Sequence, residues 1–294
     1  MRKFLLGTDW WTDCDDAVAL RMLARAHKAE EIRLMGIGIN ACMEYSAASV
    51  DGFLCSEGVK DIPLGIDLAA TDFGRNPPYQ RNLAPLCERY HKNEEAEDAV
   101  RLYRKVLAGC SEKIEIMEIG YLNVLAGVLK SEADDLSPLC GTELIRQKVE
   151  KIWIMAGKWD ENPGRENNFA RNERARLAGE SVCRLCPVPI VFLGWEVGAS
   201  VLTGGKLKEN DVLHRVLLDH GSEKGRSSWD PMLCLLAMTG DAEKAGYEMK
   251  RGYASVDSAT GENSFVEDEE GPHAYVYKKY DDAFYQNRID AMIG

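Results

Sequence analysis

Lys3-Phe4-Leu5-Leu6-Gly7-Thr8-Asp9-Trp10-Trp11-Thr12-Asp13-Cys14-Asp15-Asp16-Ala17 begins as an apolar run and ends in a crowd of acids. Lys3–Gly7 has the length and composition of a buried strand. It is too short for a signal-peptide core, and no small-residue cleavage pattern follows it. From Asp15 to Lys28 the period changes. Val18, Ala19, Met22, Leu23 and Ala26 share one helical face, with Arg21, Arg25 and Lys28 opposite. Ile32–Ile39 is then a second apolar run. Strand, turn, helix and strand make one βαβ unit, which predicts a parallel strand pair with a right-handed crossover.

The alternation continues along the chain. Ile62–Ile66, Ile114–Ile119, Ile152–Met155 and Pro189–Leu193 read as further buried strands. Ala47–Gly58, Ala96–Ala108, Leu122–Lys130, Glu143–Glu150 and Arg171–Cys183 read as helices. The expected fold class is α/β, a single domain over residues 1–294 with a mostly parallel central sheet flanked by helices. From about Lys206 the pattern turns helical, a C-terminal elaboration ending in a short strand at Ala274–Tyr277. Thr71–Leu86, with Gly74, Pro77, Pro78 and Pro85, reads as a long irregular loop, a lid or an interface segment. In such sheets ligands sit beyond the carboxyl ends of the strands, so functional residues are expected just after each apolar run.

Composition narrows the partners. The 294 residues carry 36 Lys+Arg against 48 Asp+Glu, a net charge of −12. That excess argues against nucleic acid and against an anionic membrane surface, both of which need basic patches. No stretch approaches the roughly 18 apolar residues of a membrane span. Nine cysteines without framework spacing suit free thiols in a reducing compartment, so a cytoplasmic location is expected. Cys183-Arg-Leu-Cys186 is a lone CxxC before Pro187 and reads as a helix end rather than a zinc site.

Asp9, Asp13, Asp15 and Asp16 fall within eight residues at a strand-to-helix turn. Two carboxylates about 5 Å apart repel by roughly 3 kcal/mol at an effective dielectric near 20. Either the side chains splay into water as helix-terminus acids, or they converge on a hard cation. All-oxygen donors without His or Cys pairs suit calcium or magnesium rather than zinc. An EF-hand loop and the aspartate-phosphatase Asp-x-Asp-x-Thr signature are both absent. Read singly, Asn40, Asn123, Glu166, Asn168 and Asp230 have ordinary explanations as turn formers, helix caps and loop polars.

Taken in order, the segments resemble those of the nucleoside hydrolases, the inosine–uridine-preferring N-ribohydrolases. The acidic turn is similar to a longer variant of that family's N-terminal motif. Gly36-Ile37-Gly38-Ile39-Asn40, Ile119-Gly120-Tyr121-Leu122-Asn123-Val124, Ile152-Trp153-Ile154-Met155-Ala156-Gly157, Glu166-Asn167-Asn168-Phe169 and Trp229-Asp230-Pro231 follow in the family's order. The resemblance implies one calcium ion at the sheet's C-terminal edge, held by carboxylates of Asp9, Asp16 and Asp230 and by the main-chain carbonyl of Asn123. It implies a metal-bound water as nucleophile with Asp9 as general base. Asp15, Asn40, Glu166, Asn168 and Asp230 would hold the ribose, and Trp229 would border the substrate. Asp13 lies in the additional stretch and has no implied role.

The implied activity is hydrolysis of the N-glycosidic bond of ribonucleosides to free base and ribose, by a homodimer or homotetramer. The family's His before the late Asp, associated with protonating the leaving base, is Trp229 here. An indole N–H does not act as a general acid near neutral pH. Two alternatives therefore stand beside the first reading: hydrolysis of another N-ribosyl compound such as nicotinamide riboside, and non-catalytic binding of ribose or a nucleoside. Trp10 and Trp11 can stack on a base or pack beneath the neighbouring helix, while Trp195 reads as a packing residue.

Overall fold

The computed structural model describes every residue except Thr12 and Glu88. Its strands in chain order are β1 (Arg2–Thr8), β2 (Ile32–Ile39), β3 (Leu64–Ile66), β4 (Glu97–Asp98), β5 (Ile114–Glu118), β6 (Val149–Met155) and β7 (Gly164–Arg165). There follow β8 (Ile190–Leu193), β9 (Leu202–Thr203), β10 (Arg226–Ser227), β11 (Tyr247–Val256), β12 (Glu262–Glu267) and β13 (His273–Lys278). Eleven of them form one sheet in the order β4-β3-β2-β1-β5-β6-β8-β13-β11-β12-β7, and β9 and β10 form a separate ribbon. From β4 to β13 neighbours run parallel; β11, β12 and β7 add antiparallel strands at one edge.

β1 is central because Phe4, Leu5 and Leu6 are apolar on both faces and are buried on both. Phe4 and Leu6 join one core layer with the Asp15–Lys28 helix, while Leu5 joins the layer on the other side. The parallel strands end along one edge of the sheet. The residues just beyond them there are Asp9 after β1, Asn40 after β2, Ile119 after β5, Ala156 after β6 and Gly194 after β8.

Three expectations are corrected. The segment after Lys206 is not mainly helical. Helices at Val212–His220, Trp229–Thr239 and Ala242–Ala245 give way to the meander of β11, β12 and β13, followed by a helix at Asp282–Ile293. In β11 the burial alternates along Arg251–Val256, the period of a half-buried antiparallel strand. Thr71–Leu86 is irregular only as far as Pro77; Pro78–Leu83 is helical and a 3₁₀ turn follows at Ala84–Leu86. Cys55 and Cys87 form a disulfide, so these two are not free thiols. Cys183 and Cys186 remain free at a helix end, as read from Pro187. Among the described residues, no helix is long and apolar enough to cross a membrane.

Candidate active site

At the strands' carboxyl edge lies a cavity of about 220 Å³ bordered by Asp9, Asp13, Asp15, Asp16, Glu166 and Asp230. Trp11, Trp195, Trp229, Ile119, Met155, Asn167 and Asn168 complete its wall. The turn that carries four of the acids is held in an uncommon shape. Trp10 has φ of 50°, the left-handed region that a bulky residue enters only when its surroundings over-determine it. They do so here. Trp10 N–H donates to Thr8 Oγ1 (3.1 Å) and Asp16 Oδ1 (3.2 Å), and its indole donates to Ser49 Oγ (2.9 Å). Its carbonyl accepts from Tyr79 Oη (3.2 Å) and Gln80 Nε2 (2.7 Å). Phe53 and Tyr79 pack against its ring.

Around that pivot the carboxylates are fixed individually. Asp9 Oδ1 accepts from Trp11 N–H (3.0 Å), and Thr8 Oγ1 donates to Asp16 Oδ1. Asp15 Oδ2 accepts from Asp230 N–H (3.0 Å), which joins the first helix to the helix at Trp229–Thr239. Ligand oxygens of Asp13, Asp15 and Asp16 lie within 4.8 Å of one another. On the opposite wall Glu166 caps the short helix Asn167–Ala170, accepting from Asn168 N–H (2.9 Å) and Gly157 N–H (3.0 Å). Asn168 Nδ2 donates to Met155 O (2.9 Å). At the mouth the rings of Trp195 and Trp229 stack at 6.4 Å, with Trp229 Nε1 donating to Trp195 O (2.8 Å).

Most residues read from the sequence border this cavity: Asp9, Asp15, Asp16, Glu166, Asn168, Trp229 and Asp230. Asn40 and Asn123 do not. Asn40 is fully buried behind Asp9; its Oδ1 accepts from Tyr121 N–H (3.0 Å), and its Nδ2 has no partner among the described residues. Asn123 Nδ2 donates to Asn40 O (3.1 Å) and Asp67 Oδ2 (2.7 Å), so its amide braces Asn40 from outside. The residue of that segment at the cavity is Ile119, four positions earlier, because β5 ends there and the chain then turns away into the helix Asn123–Lys130. Gly120 permits this approach: a Cβ there would collide with the backbone nitrogen of Asp9 and stand 2.9 Å from Asn40 Oδ1.

Among the bordering residues, the sequence left Asp13 and Trp11 open and read Trp195 as a packing residue. Trp195 is 44% exposed at the mouth rather than packed, although its position directly after β8 was a usable signal. Asp13 borders the cavity and pairs with Arg226 (2.9 Å), whose guanidinium lies 5.1 Å from the Trp229 ring. Trp10 packs; Trp11 borders the cavity, with its ring against Phe73 and Tyr121.

Crowding and burial set the protonation of the cluster. Burial, followed by the charges of Asp16 and Asp13, holds the Asp9 carboxyl well above the usual carboxylate range. Burial and the same kind of acidic neighbours do this to Asp15 and Asp230. Burial raises Asp16 to about 7, with Asp13 adding to it, and burial raises Glu166 to about 7 against three backbone N–H bonds. Buried acids gathered so closely ionise together only when a positive charge is among them. The oxygens of Asp13, Asp15 and Asp16 converge, Asp9 and Asp230 border the same cavity without joining that group, and among the described residues no His or Cys joins it; an all-oxygen set of this kind fits a hard divalent cation.

No protein-family model matches the chain, and no curated protein matches it. Solved structures do. Over 99% of this chain and 100% of the other, the fold is similar to the inosine-uridine preferring nucleoside hydrolase from Bacillus anthracis, with a TM-score of 0.68 and 16% identity. It is similar also to the type III effector protein XopQ, solved in complex with adenosine diphosphate ribose, over 99% of this chain and 93% of that one (TM-score 0.69, 14% identity). The fold is therefore that of the nucleoside hydrolases, a mostly parallel sheet flanked by helices with its cavity at the carboxyl edge.

Proposed function

We propose that the protein hydrolyses the N-glycosidic bond of ribosyl compounds, with ribonucleosides as the substrate class and a calcium ion as cofactor. The observation that carries this reading is the set of six carboxylates and Asn168 on one small cavity at the sheet's carboxyl edge. Asp9, Asp16 and Asp230 would hold the ion, with the main-chain carbonyl of Ile119 in the place first given to that of Asn123. When bound, calcium lowers the pKa of a coordinated water and neutralises the crowded carboxylates.

The chain's own residues supply the rest. Asp9 takes a proton from the attacking water, whose oxygen bonds to C1′ as the C1′–N bond breaks and its electron pair leaves with the aglycone. Asp15, Glu166 and Asn168 bind the ribose hydroxyls and hold the sugar in line; Asp230 serves both ion and sugar. Trp195 and Trp229 offer an aromatic surface to the departing ring. Neither tryptophan donates a proton at neutral pH, so the leaving group takes its proton from solvent at the open mouth. The complex of XopQ with adenosine diphosphate ribose supports a ribosyl ligand for this fold. A homodimer or homotetramer in the cytoplasm is part of the same reading. The test is ribose release from a panel of nucleosides by calcium-loaded protein. Release that EDTA abolishes is expected, and no release from any member overturns the reading.

A further inference from the structure

Beside the acidic cavity lies an open one of about 440 Å³, bordered by Arg165, Glu166, Asn167, Ala170 and Arg171. The two cavities share Glu166 and Asn167, which puts the second directly beside the first. Their charges are opposite. Arg171 donates from Nη2 to Phe73 O (2.7 Å) and lies 4.9 Å from the Trp11 ring. Both contacts orient the guanidinium and neither neutralises it. Arg165 ends β7 and has Glu262 opposite it across the strand pair, yet the two form no ion pair. Among the described residues neither arginine is paired with a carboxylate, whereas Arg21, Arg101, Arg104, Arg174 and Arg226 all are.

In a chain of net charge −12, two unneutralised arginines at the rim of an acidic cavity make a local reversal of sign. Guanidinium groups present a planar fork of N–H donors that matches phosphate oxygens. We propose that this cleft receives a phosphoryl group carried on the 5′ position of the ribose. The preferred substrates would then be N-ribosyl compounds bearing a 5′-phosphate, such as nucleoside 5′-monophosphates, over the corresponding free nucleosides. The inference rests on the ribosyl reading above and adds the phosphate to it. With C1′ directed to Asp9 and the aglycone to Trp195 and Trp229, the sugar's C5′ arm would run along Glu166 and Asn167, the residues the two cavities have in common. The arginine cleft opens beyond it. The cleft is open to water, so a phosphoryl group seated there keeps part of its hydration.

The test compares ribose with ribose 5-phosphate by calorimetry, and inosine and uridine with their 5′-monophosphates by kcat/KM, in wild type and in Arg165→Ala and Arg165→Lys. A guanidinium fork on a phosphoryl group is a charge-assisted contact, so the phosphorylated compound is expected to be favoured by roughly tenfold in both measurements. In R165A that ratio should fall toward one, and in R165K it should recover in part. A wild-type ratio near one, or a ratio unchanged in R165A, overturns the phosphate subsite while leaving ribosyl hydrolysis standing. Failure of the wild type to bind either sugar or to cleave either substrate class overturns both.

Discussion

Asp9 is the residue on which the proposed chemistry turns. Its Oδ1 is engaged by Trp11 N–H, and its crowded, buried position keeps it avid for a proton. Asp9→Asn keeps the shape and removes the basicity. Turnover should fall by about 10²–10⁴-fold, the usual contribution of a general base, while ribose binding measured by calorimetry changes far less. Unchanged turnover would remove Asp9 from the mechanism. Trp195 and Trp229 define a second residue-scale expectation. On the proposed reading neither Trp195 nor Trp229 donates a proton and the cavity's acids serve ion and sugar, so rate should depend steeply on how readily the aglycone leaves unprotonated. p-Nitrophenyl riboside should outpace uridine and inosine, and a flat dependence on leaving-group pKa would show that one of the protein's acids protonates the aglycone. Trp195→Ala should raise KM for aromatic aglycones by about tenfold, the worth of one lost stacking partner, with kcat less affected.

The acidic turn is built by elements distant in sequence. Tyr79 and Gln80 belong to the helix Pro78–Leu83, and both bond the carbonyl of Trp10, whose left-handed backbone needs such support. Cys87, just past the 3₁₀ turn that follows that helix, is tied by a disulfide to Cys55 in the helix at Ser46–Ser56, across a separation of 32 residues. Closing a loop of that length removes about 3–4 kcal/mol of chain entropy from the unfolded state on the chain-entropy account. The Cys55→Ser, Cys87→Ser double variant should therefore unfold in urea with a stability lower by about 3 kcal/mol, and reductant should bring the wild type to the same value. Equal midpoints for oxidised and reduced wild type would mean that the bridge does not constrain the chain.

Here the difference between what sequence shows and what it hides has a physical basis. β1, β2, β5 and β6 were legible because buried parallel strands must be apolar on both faces, and the acids after β1 were legible because they crowd. β11 and β12 were not. Tyr247–Val256 and Glu262–Glu267 mix charged and apolar residues on one edge of the sheet, and only pairing makes them strands. Trp195 was misread for a related reason, since an aromatic residue after a strand looks alike whether it packs or lines a mouth. That Ile119 and not Asn123 borders the cavity is a matter of four residues of register, which a motif without coordinates does not resolve.

For the whole molecule, the consequence of gathering acids in one cavity is a stability that depends jointly on pH and on a divalent cation. Asp9, Asp15 and Asp230 sit well above the carboxylate range, and Asp16 and Glu166 are near 7. A carboxyl whose folded pKa is raised binds more protons folded than unfolded. Its stabilising effect is complete below about pH 4 and is lost as pH rises toward 7. The paired acids Asp134, Asp135 and Asp282 are lowered instead, so they act at more acidic pH, outside this window. His27 and His273 are lowered by burial, and they weaken the fold as pH falls below about 6.5, opposing the cluster there. Glu118 and Glu196, raised by burial to about 8 and about 7, add to the fall with pH outside the cavity; calcium separates the cluster's share, because it acts on those carboxylates alone. In EDTA, Tm should fall between pH 5 and pH 7.5. The rise in Tm on adding calcium should be small at pH 5, where protons already neutralise the cluster, and largest near pH 7.5. An equal rise at both values would show that the cation binds elsewhere than among these acids.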